Sequence, residues 1–412
     1  MLEAEILLLP YLSIALVAFV GSLIATPVMR SLARRHGVVD WPDLLRKQHR
    51  KPVAYLGGVA IFLGWFAGVV YALTLPAGLA AAGALLALIV GAGAIHLTGL
   101  IDDVATVRAR VKIGGQLFAA AALASQDIGI DLSRQVLMGF HFPLYELHRV
   151  ATPLTGVPLD YTLCYILGTV VVAVFVIGFC NAVNLIDGLD GLAAGTTAIS
   201  MTGVLGLALL VIAQHVASQP SGSGVLDFPH VWDSVRLVLC LATIGTLLGF
   251  LVFNWNPASV FMGDAGSLLL GFLYAAAVLS FSDTGGASLH FVIASLVTFG
   301  IPITDTSLAI LRRKLRGYPI FAPDSQHLHH MLRRAGFTVK QSVGVMYVAA
   351  VLLAMLGLTI ATVQISLSIL VPLLLAGWFG LLVLGFKVSG YQLRQEAEAV
   401  PEAAGDAAPA TA

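Results

Sequence analysis

Long apolar runs separated by short polar ones set the pattern of this chain. Eleven stretches are almost uninterruptedly apolar: about 6–29, 56–75, 79–99, 113–125, 162–180, 190–213, 234–253, 266–281, 289–311, 341–362 and 365–386. A bilayer-spanning helix needs about 20 such residues, so each stretch predicts a membrane helix, with 113–125 the shortest. Transmembrane barrels show ten-residue alternating segments instead, and this pattern excludes them. The expectation is an all-α polytopic membrane protein with about eleven spans. Composition agrees, because 58% hydrophobic and only 11% charged residues leave too little polar surface for a solvated globule.

Lys and Arg collect on cytoplasmic loops. With the N-terminus outside and the C-terminus cytoplasmic, 19 of the 22 basic residues fall inside, leaving Arg134, Arg149 and Arg236 outside. Topology therefore accounts for Arg30, Arg34 and Arg35, and the zero net charge gives no reason to expect nucleic acid as a partner. Cys164, Cys180 and Cys240 have no disulfide or metal spacing and read as bundle residues. Glu3 and Glu5 stand where a cleavable signal would be positive, so the first span is expected to be retained. Residues 1–390 read as a single membrane-embedded domain, with 391–412 a disordered cytoplasmic tail. In the external loop 126–160, Ile128, Ile130 and Leu132 alternate with polar positions and predict a small hairpin, while 214–232 reads as a flexible connector.

Four polar segments then fall on the expected cytoplasmic face: LIDDVATV at 100–107, NAVNLIDGLDG at 181–191, NWNPASVFMGDAGS at 254–267 and DSQHLHHML at 324–332. Asp102 and Asp103 are adjacent and repel unless a proton or cation intervenes. A divalent ion is one remedy, and basic partners such as Arg108, Arg110 and Lys112 are the other. The spacing of Asn181 to Asn184, and of Asp187 to Asp190, puts each pair on one helix face, and Gly188 and Gly191 let a ligand approach the backbone. Hard oxygen ligands of this kind suit Mg²⁺, which binds one or two carboxylates plus substrate phosphates. The alternative is that Asn184 or Asp187 caps the sixth span. Asp264, between Gly263 and Gly266, is either a ligand or the cap of the eighth span. Asp305 lies inside the ninth span, where an acid marks function unless it pairs with Arg312 or Arg313, and Pro302 is expected to kink that helix. His327, His329 and His330 suit phosphate oxygens better than zinc, for which no cysteine completes a site, with a solvated juxtamembrane cluster as the alternative. Lys47, His49, Arg50 and Lys51 offer a cationic rim.

The motifs DDVATV, NAVNLIDGLDGLAAG, NPASVFMGDAGSLLLG, PITDTSLAILRRKL and HLHHML, in this order across residues 40–340, resemble the polyprenyl-phosphate N-acetylhexosamine-1-phosphate transferases, glycosyltransferase family 4. The HLHH form preceded by PDSQ is similar to the WecA/TagO-like branch, which transfers GlcNAc-1-phosphate from UDP-GlcNAc to undecaprenyl phosphate. The resemblance implies a Mg²⁺ enzyme, with Mn²⁺ as a substitute, in the bacterial plasma membrane, opening cell-envelope polysaccharide synthesis. It implies catalytic roles for Asp102, Asp103, Asp187 and Asp264, with Asp187 and Asp264 at the metal and Asp102 or Asp103 the candidate base. Asn184, Asp190 and Phe261 would lie near uridine, and Asn254, Lys112, His327, His329 and His330 would bind substrate. It leaves the oligomeric state, a homodimer included, open. In the first loop, KQHRKPVAYLGG departs from the usual pattern, with Ala54 and Tyr55 replacing a Pro and an Arg. Thr106 likewise stands where an acid or amide is common.

Other classes fit less well. An ion-coupled transporter wants acids near the midplane on broken helices. An intramembrane aspartyl protease wants Gly three residues before its acid, where this chain has Phe261. Within the transferase class, MurNAc-pentapeptide phosphate or another N-acetylhexosamine phosphate is the competing donor group.

Overall fold

The computed structural model describes residues 2–42, 52–105, 107–139, 158–218, 231–284, 288–319, 326–363 and 365–405. Each of the eleven apolar stretches is helical. In chain order the helices are α1 (Leu2–Arg35), α2 (Gly57–Ala72), α3 (Pro76–Ala80), α4 (Ala82–Ala105), α5 (Ala109–Ala124), α6 (Ile130–Gly139), α7 (Leu159–Ile186) and α8 (Leu192–Ser218). They continue as α9 (Val231–Asn254), α10 (Gly263–Leu279), α11 (Ser288–Thr298), α12 (Gly300–Leu315), α13 (Leu328–Arg334), α14 (Val339–Val363) and α15 (Leu367–Gly405).

Eight of these helices are long and apolar enough to cross a membrane. α2 and α5 have 16 residues each, roughly 24 Å at the α-helical rise and short of a hydrocarbon core. The ninth apolar stretch is not one rod, because α11 and α12 meet at a 75° bend. The break falls at Phe299, just ahead of Pro302. Pro302 has no N–H to offer the carbonyl four residues back, so α12 starts afresh with the proline in its first turn.

α10 forms the axis of the bundle. All its residues except Asp264 are buried, and α2, α4, α7 and α8 pack around it. Such close approach needs small residues, since lipid gives helices no hydrophobic reason to associate. A Cβ at Gly99 of α4 would stand 2.5 Å from the Asp264 carbonyl oxygen, and one at Gly271 of α10 would stand 2.4 Å from Cys180 Cα of α7. α15 lies outermost and exposes Leu373, Phe379 and Leu384, as a lipid-facing helix does. The three cysteines are free and buried in the bundle.

Two local features depart from expectation. The alternation at 128–132 is not a hairpin: Asp127 and Gly129 take positive φ values of 57° and 87°, and the chain then enters α6. Ile128, Ile130 and Leu132 are buried around this turn, and Ser133 Oγ donates to the Cys164 carbonyl of α7. An alternation of three positions suits a turn entering a helix as well as a strand. The first loop, in contrast, holds a two-stranded pair, β1 (Val39–Asp40) and β2 (Val53–Ala54), antiparallel with Val39 opposite Ala54. Ala54 also bridges Val260, and the Phe261 N–H donates to the Ala54 carbonyl at 2.8 Å, so the first loop is stitched to the segment before α10. Lys47, His49, Arg50, Lys51 and Thr106 lie outside the described residues, as do most of the 214–232 connector and residues 140–157.

Candidate active site

The acid motifs converge where α4, α5, α7 and α10 end together. Lys112, in the first turn of α5, places Nζ 2.6 Å from Asp102 Oδ2 and 2.5 Å from Asp264 Oδ2. Asp264 Oδ1 accepts from Asn184 Nδ2 at 2.8 Å, and the same amide donates to Ser267 Oγ at 3.0 Å. Three motifs, from α4–α5, α7 and α10, thus share one carboxylate.

The adjacent acids are separated in function. Asp102 takes Lys112 and the Val107 N–H, at 2.8 Å. Asp103 accepts from the N–H groups of Asp264 (2.7 Å) and Ala265 (2.9 Å), satisfying orphan donors at the start of α10. The cap of α10 is therefore Asp103, reaching over from α4. Asp264, whose position suggested the cap, turns its side chain to Lys112 and Asn184. Gly263, at φ 65°, leaves room for this: a Cβ there would lie 2.6 Å from Asp103 Oδ2. Neither Asn184 nor Asp187 caps α8, where the Gly191 N–H donates to Asn254 Oδ1 at 3.1 Å.

Asp190 and Asn254 shape the loop before α10. Asp190 Oδ2 accepts from Asn256 Nδ2 (2.8 Å) and the Ala258 N–H (2.9 Å), and Asn254 Nδ2 donates to the Val260 carbonyl (2.9 Å). Phe261, half-buried, joins this loop to β2 and α2 through its backbone. Asn181 points to α5, donating to Gln116 Oε1 at 3.5 Å as well as to the Ile177 carbonyl.

Asp187 follows the last residue of α7, half-buried, with no side-chain hydrogen bond among the described residues. Burial, then the negative charge of Asp264, Asp103 and Asp190, pushes its carboxyl up to about 8. Among the described residues one lysine thus faces four carboxyl groups. Among the described residues no three acids, histidines or cysteines converge as a protein-only metal cage. The donor set nevertheless fits Mg²⁺: hard oxygens with a surplus of negative charge, which the ion commonly completes with substrate phosphates.

Beside the acids lies a cavity of about 420 Å³ lined by Asp40, Tyr55, Asp102, Asp103 and Asp264 with the 37–39 turn. Tyr55, the departure in the first loop, enters this wall. Burial, then the charges of Asp103, Asp264 and Asp187, holds its phenol well above the usual tyrosine range, so it stays a neutral hydroxyl donor. The histidines reach the cluster from α13. A Cβ at Gly188 would lie 2.3 Å from His329 Nε2, and the His329 and His330 rings are 4.2 Å apart between centroids. His327 Nδ1 donates to Asp305 Oδ2 at 2.9 Å. Tyr347 of α14, which no sequence signal marked, donates to the Gly191 carbonyl at 2.6 Å.

Comparison with known proteins gives this arrangement its relatives. The profile of glycosyl transferase family 4 matches residues 85–282. A Bacillus subtilis (strain 168) protein named probable undecaprenyl-phosphate N-acetylglucosaminyl 1-phosphate transferase is 34% identical over 364 residues, covering 87% of this chain and 88% of its own. The chain belongs to glycosyl transferase family 4. Two further proteins are similar. The decaprenyl-phosphate N-acetylglucosaminephosphotransferase of Mycobacterium tuberculosis (strain H37Rv) is 32% identical over 82% of this chain and 80% of its own. The undecaprenyl-phosphate alpha-N-acetylglucosaminyl 1-phosphate transferase of Escherichia coli (strain K12) is 29% identical over 80% and 78%. The family match spans the acids from Asp102 to Asp264, and the Bacillus alignment covers most of the rest.

Proposed function

We propose that this protein transfers GlcNAc-1-phosphate from UDP-GlcNAc to undecaprenyl phosphate, releasing UMP and opening cell-envelope polysaccharide synthesis. The observation that carries the reading is the sharing of Asp264 by Lys112 and Asn184, in a chain whose relatives are named for this transfer. A phosphate monoester has a second pKa near 6, so the acceptor is already mostly dianionic at neutral pH and needs little help from a general base. Its oxygen attacks the β-phosphorus of the nucleotide sugar. A P–O bond forms there as the bridge to the α-phosphorus breaks, and UMP leaves with the electron pair.

Lys112, held between two carboxylates, supplies a fixed ammonium for phosphate oxygens at little cost in side-chain freedom. Asp102 and Asp264 aim it, and Asn184 keeps Asp264 in register. Tyr55 adds a neutral donor in the cavity wall. Asp264 and Asp187 are the residues that would hold Mg²⁺, which when bound supplies positive charge to the pyrophosphate.

The reading extends to topology. Eleven crossings with the N-terminus outside and the C-terminus cytoplasmic put the site on the cytoplasmic face of a bacterial plasma membrane, where nucleotide sugars are found. The basic residues support that orientation. Residues 1–390 then form one transferase unit, with α15 running past it to Gly405. The test is UMP release by the detergent-purified protein with undecaprenyl phosphate and Mg²⁺, comparing UDP-GlcNAc, UDP-GalNAc and UDP-MurNAc-pentapeptide, with EDTA as control. Release with UDP-GlcNAc alone is expected. Release only with another donor reassigns the sugar, and no release with any of them overturns the reading.

A further inference from the structure

Asp305 has no part in the chemistry above, yet it is 1% exposed within α12 and both of its oxygens are engaged. Oδ2 accepts from His327 Nδ1 and Oδ1 from the Leu328 N–H at 2.7 Å. A carboxylate on Nδ1 fixes the tautomer and orientation of an imidazole. The same carboxylate also holds the first residue of α13. Two residues beyond His327, His329 is 1% exposed and neither of its ring nitrogens has a partner among the described residues. A buried polar atom left unbonded keeps its full desolvation penalty, so such a pair calls for a ligand. The ring faces Gly188, and reaches the turn beside Asp187 only because position 188 has no side chain. Burial, with His330 and His327 alongside, lowers His329 to about 3, so at neutral pH it offers one N–H donor and no charge.

Resting on the transferase reading, we propose that Asp305 is a positioning residue. It seats the histidine helix by accepting from His327 and the Leu328 N–H, so that His329 meets the Asp187–Gly188 turn and donates to a phosphate oxygen of the nucleotide sugar. Asn at 305 keeps the shape but leaves one acceptor oxygen for two donors.

The test uses the full-length protein in detergent. Modification of each histidine by diethyl pyrocarbonate, read by mass spectrometry, is compared in wild type, Asp305→Asn and Gly188→Ala, alongside steady-state UMP release. Asp305→Asn should raise modification of His327 and His329 at least about fivefold, with exposed His36 unchanged. Gly188→Ala should raise it at His329 alone, and no change there overturns the contact with the turn. Asp305→Asn should also raise KM for UDP-GlcNAc about tenfold while KM for undecaprenyl phosphate moves less than about twofold. A merely misfolded fraction lowers kcat and leaves both KM values alone. Continued protection of both histidines in Asp305→Asn overturns the docking, and an unchanged donor KM overturns the phosphate contact. The footprint needs no turnover, so a wild type that releases no UMP overturns the transferase reading and the phosphate contact while the footprint alone decides the docking.

Discussion

The two ends of α9 handle charge in opposite ways. Near Val231, Asp233 and Arg236 are almost completely buried, with Arg236 Nη1 donating to Asp233 Oδ1 at 2.6 Å. Arg236 Nε and Nη2 donate to the Ser280 carbonyl, His215 Nδ1 lies 2.8 Å from Asp233 Oδ2, and the Phe281 ring faces the cation. About 31 Å away along the helix, past Asn254, one lysine faces Asp102, Asp103, Asp187 and Asp264 beside an open cavity. The first set matches a buried carboxylate with a buried guanidinium, as an ion pair must be matched to stand desolvation. Among the described residues the second is unbalanced and open. A surplus of one charge held against a cavity has no structural purpose that a balanced pair would not serve better, and it is the arrangement an incoming counter-charge completes.

Substitutions at the two ends should therefore separate activity from stability. The largest effect is expected for Asp264→Asn, which removes the carboxylate shared by Lys112 and Asn184: UMP release should fall by about 10³-fold with the thermal midpoint little changed. Full activity in that variant would overturn the assignment. At the other end, Arg236→Met leaves Asp233 buried without its guanidinium and should destabilise the protein by about 3–5 kcal/mol, read from the detergent unfolding midpoint. Turnover per folded molecule should stay near wild type, and a selective loss of kcat would erase the distinction drawn between the ends. Next comes cation linkage. Mg²⁺ at about 100 times its Kd should stabilise the wild type by about 2.7 kcal/mol relative to EDTA, and Asp187→Asn should shrink that shift. An equal shift in both would remove Asp187 from the metal site.

Much of this was legible in the chain, for reasons that also mark the limits. Apolar runs declare membrane helices because burial in lipid depends on composition alone, and all eleven stretches are helical. Where one run breaks depends on a single missing N–H at Pro302, and the sequence placed the kink near the right residue without its 75° angle. The acids were recognisable as a group by type and spacing. Their pairing was not, since Lys112 and Asp264 are 152 positions apart and Asn184 and Asp264 are 80 apart. Local rules left Asp264 as either a ligand or the cap of α10, and tertiary packing brings Asp103 across from α4 as the cap. Asp305 was marked by its setting in a membrane helix, with Arg312 and Arg313 as its alternative partners. Its observed bonds to His327 and the Leu328 N–H come from a later segment that the spacing did not connect to it. Tyr347 carried no signal at all, being one hydroxyl in an apolar span.

That hydroxyl allows the finest comparison of the two ends. Tyr347 Oη donates to the Gly191 carbonyl, at the turn carrying Asp190, while Tyr11 Oη is 3.0 Å from Ser234 Oγ beside the Asp233 network. Each phenol-to-phenyl change removes the hydrogen bond named and should cost about 1 kcal/mol of stability. The effects on turnover should differ. Tyr347→Phe loosens a turn whose neighbour Asp190 holds Asn256 and the Ala258 N–H, so kcat should fall about two- to fivefold. Tyr11→Phe should leave kcat unchanged, since nothing at that end touches the reacting groups. Equal kcat losses in the two variants would mean that the bundle transmits strain along α9 and that the ends are not independent.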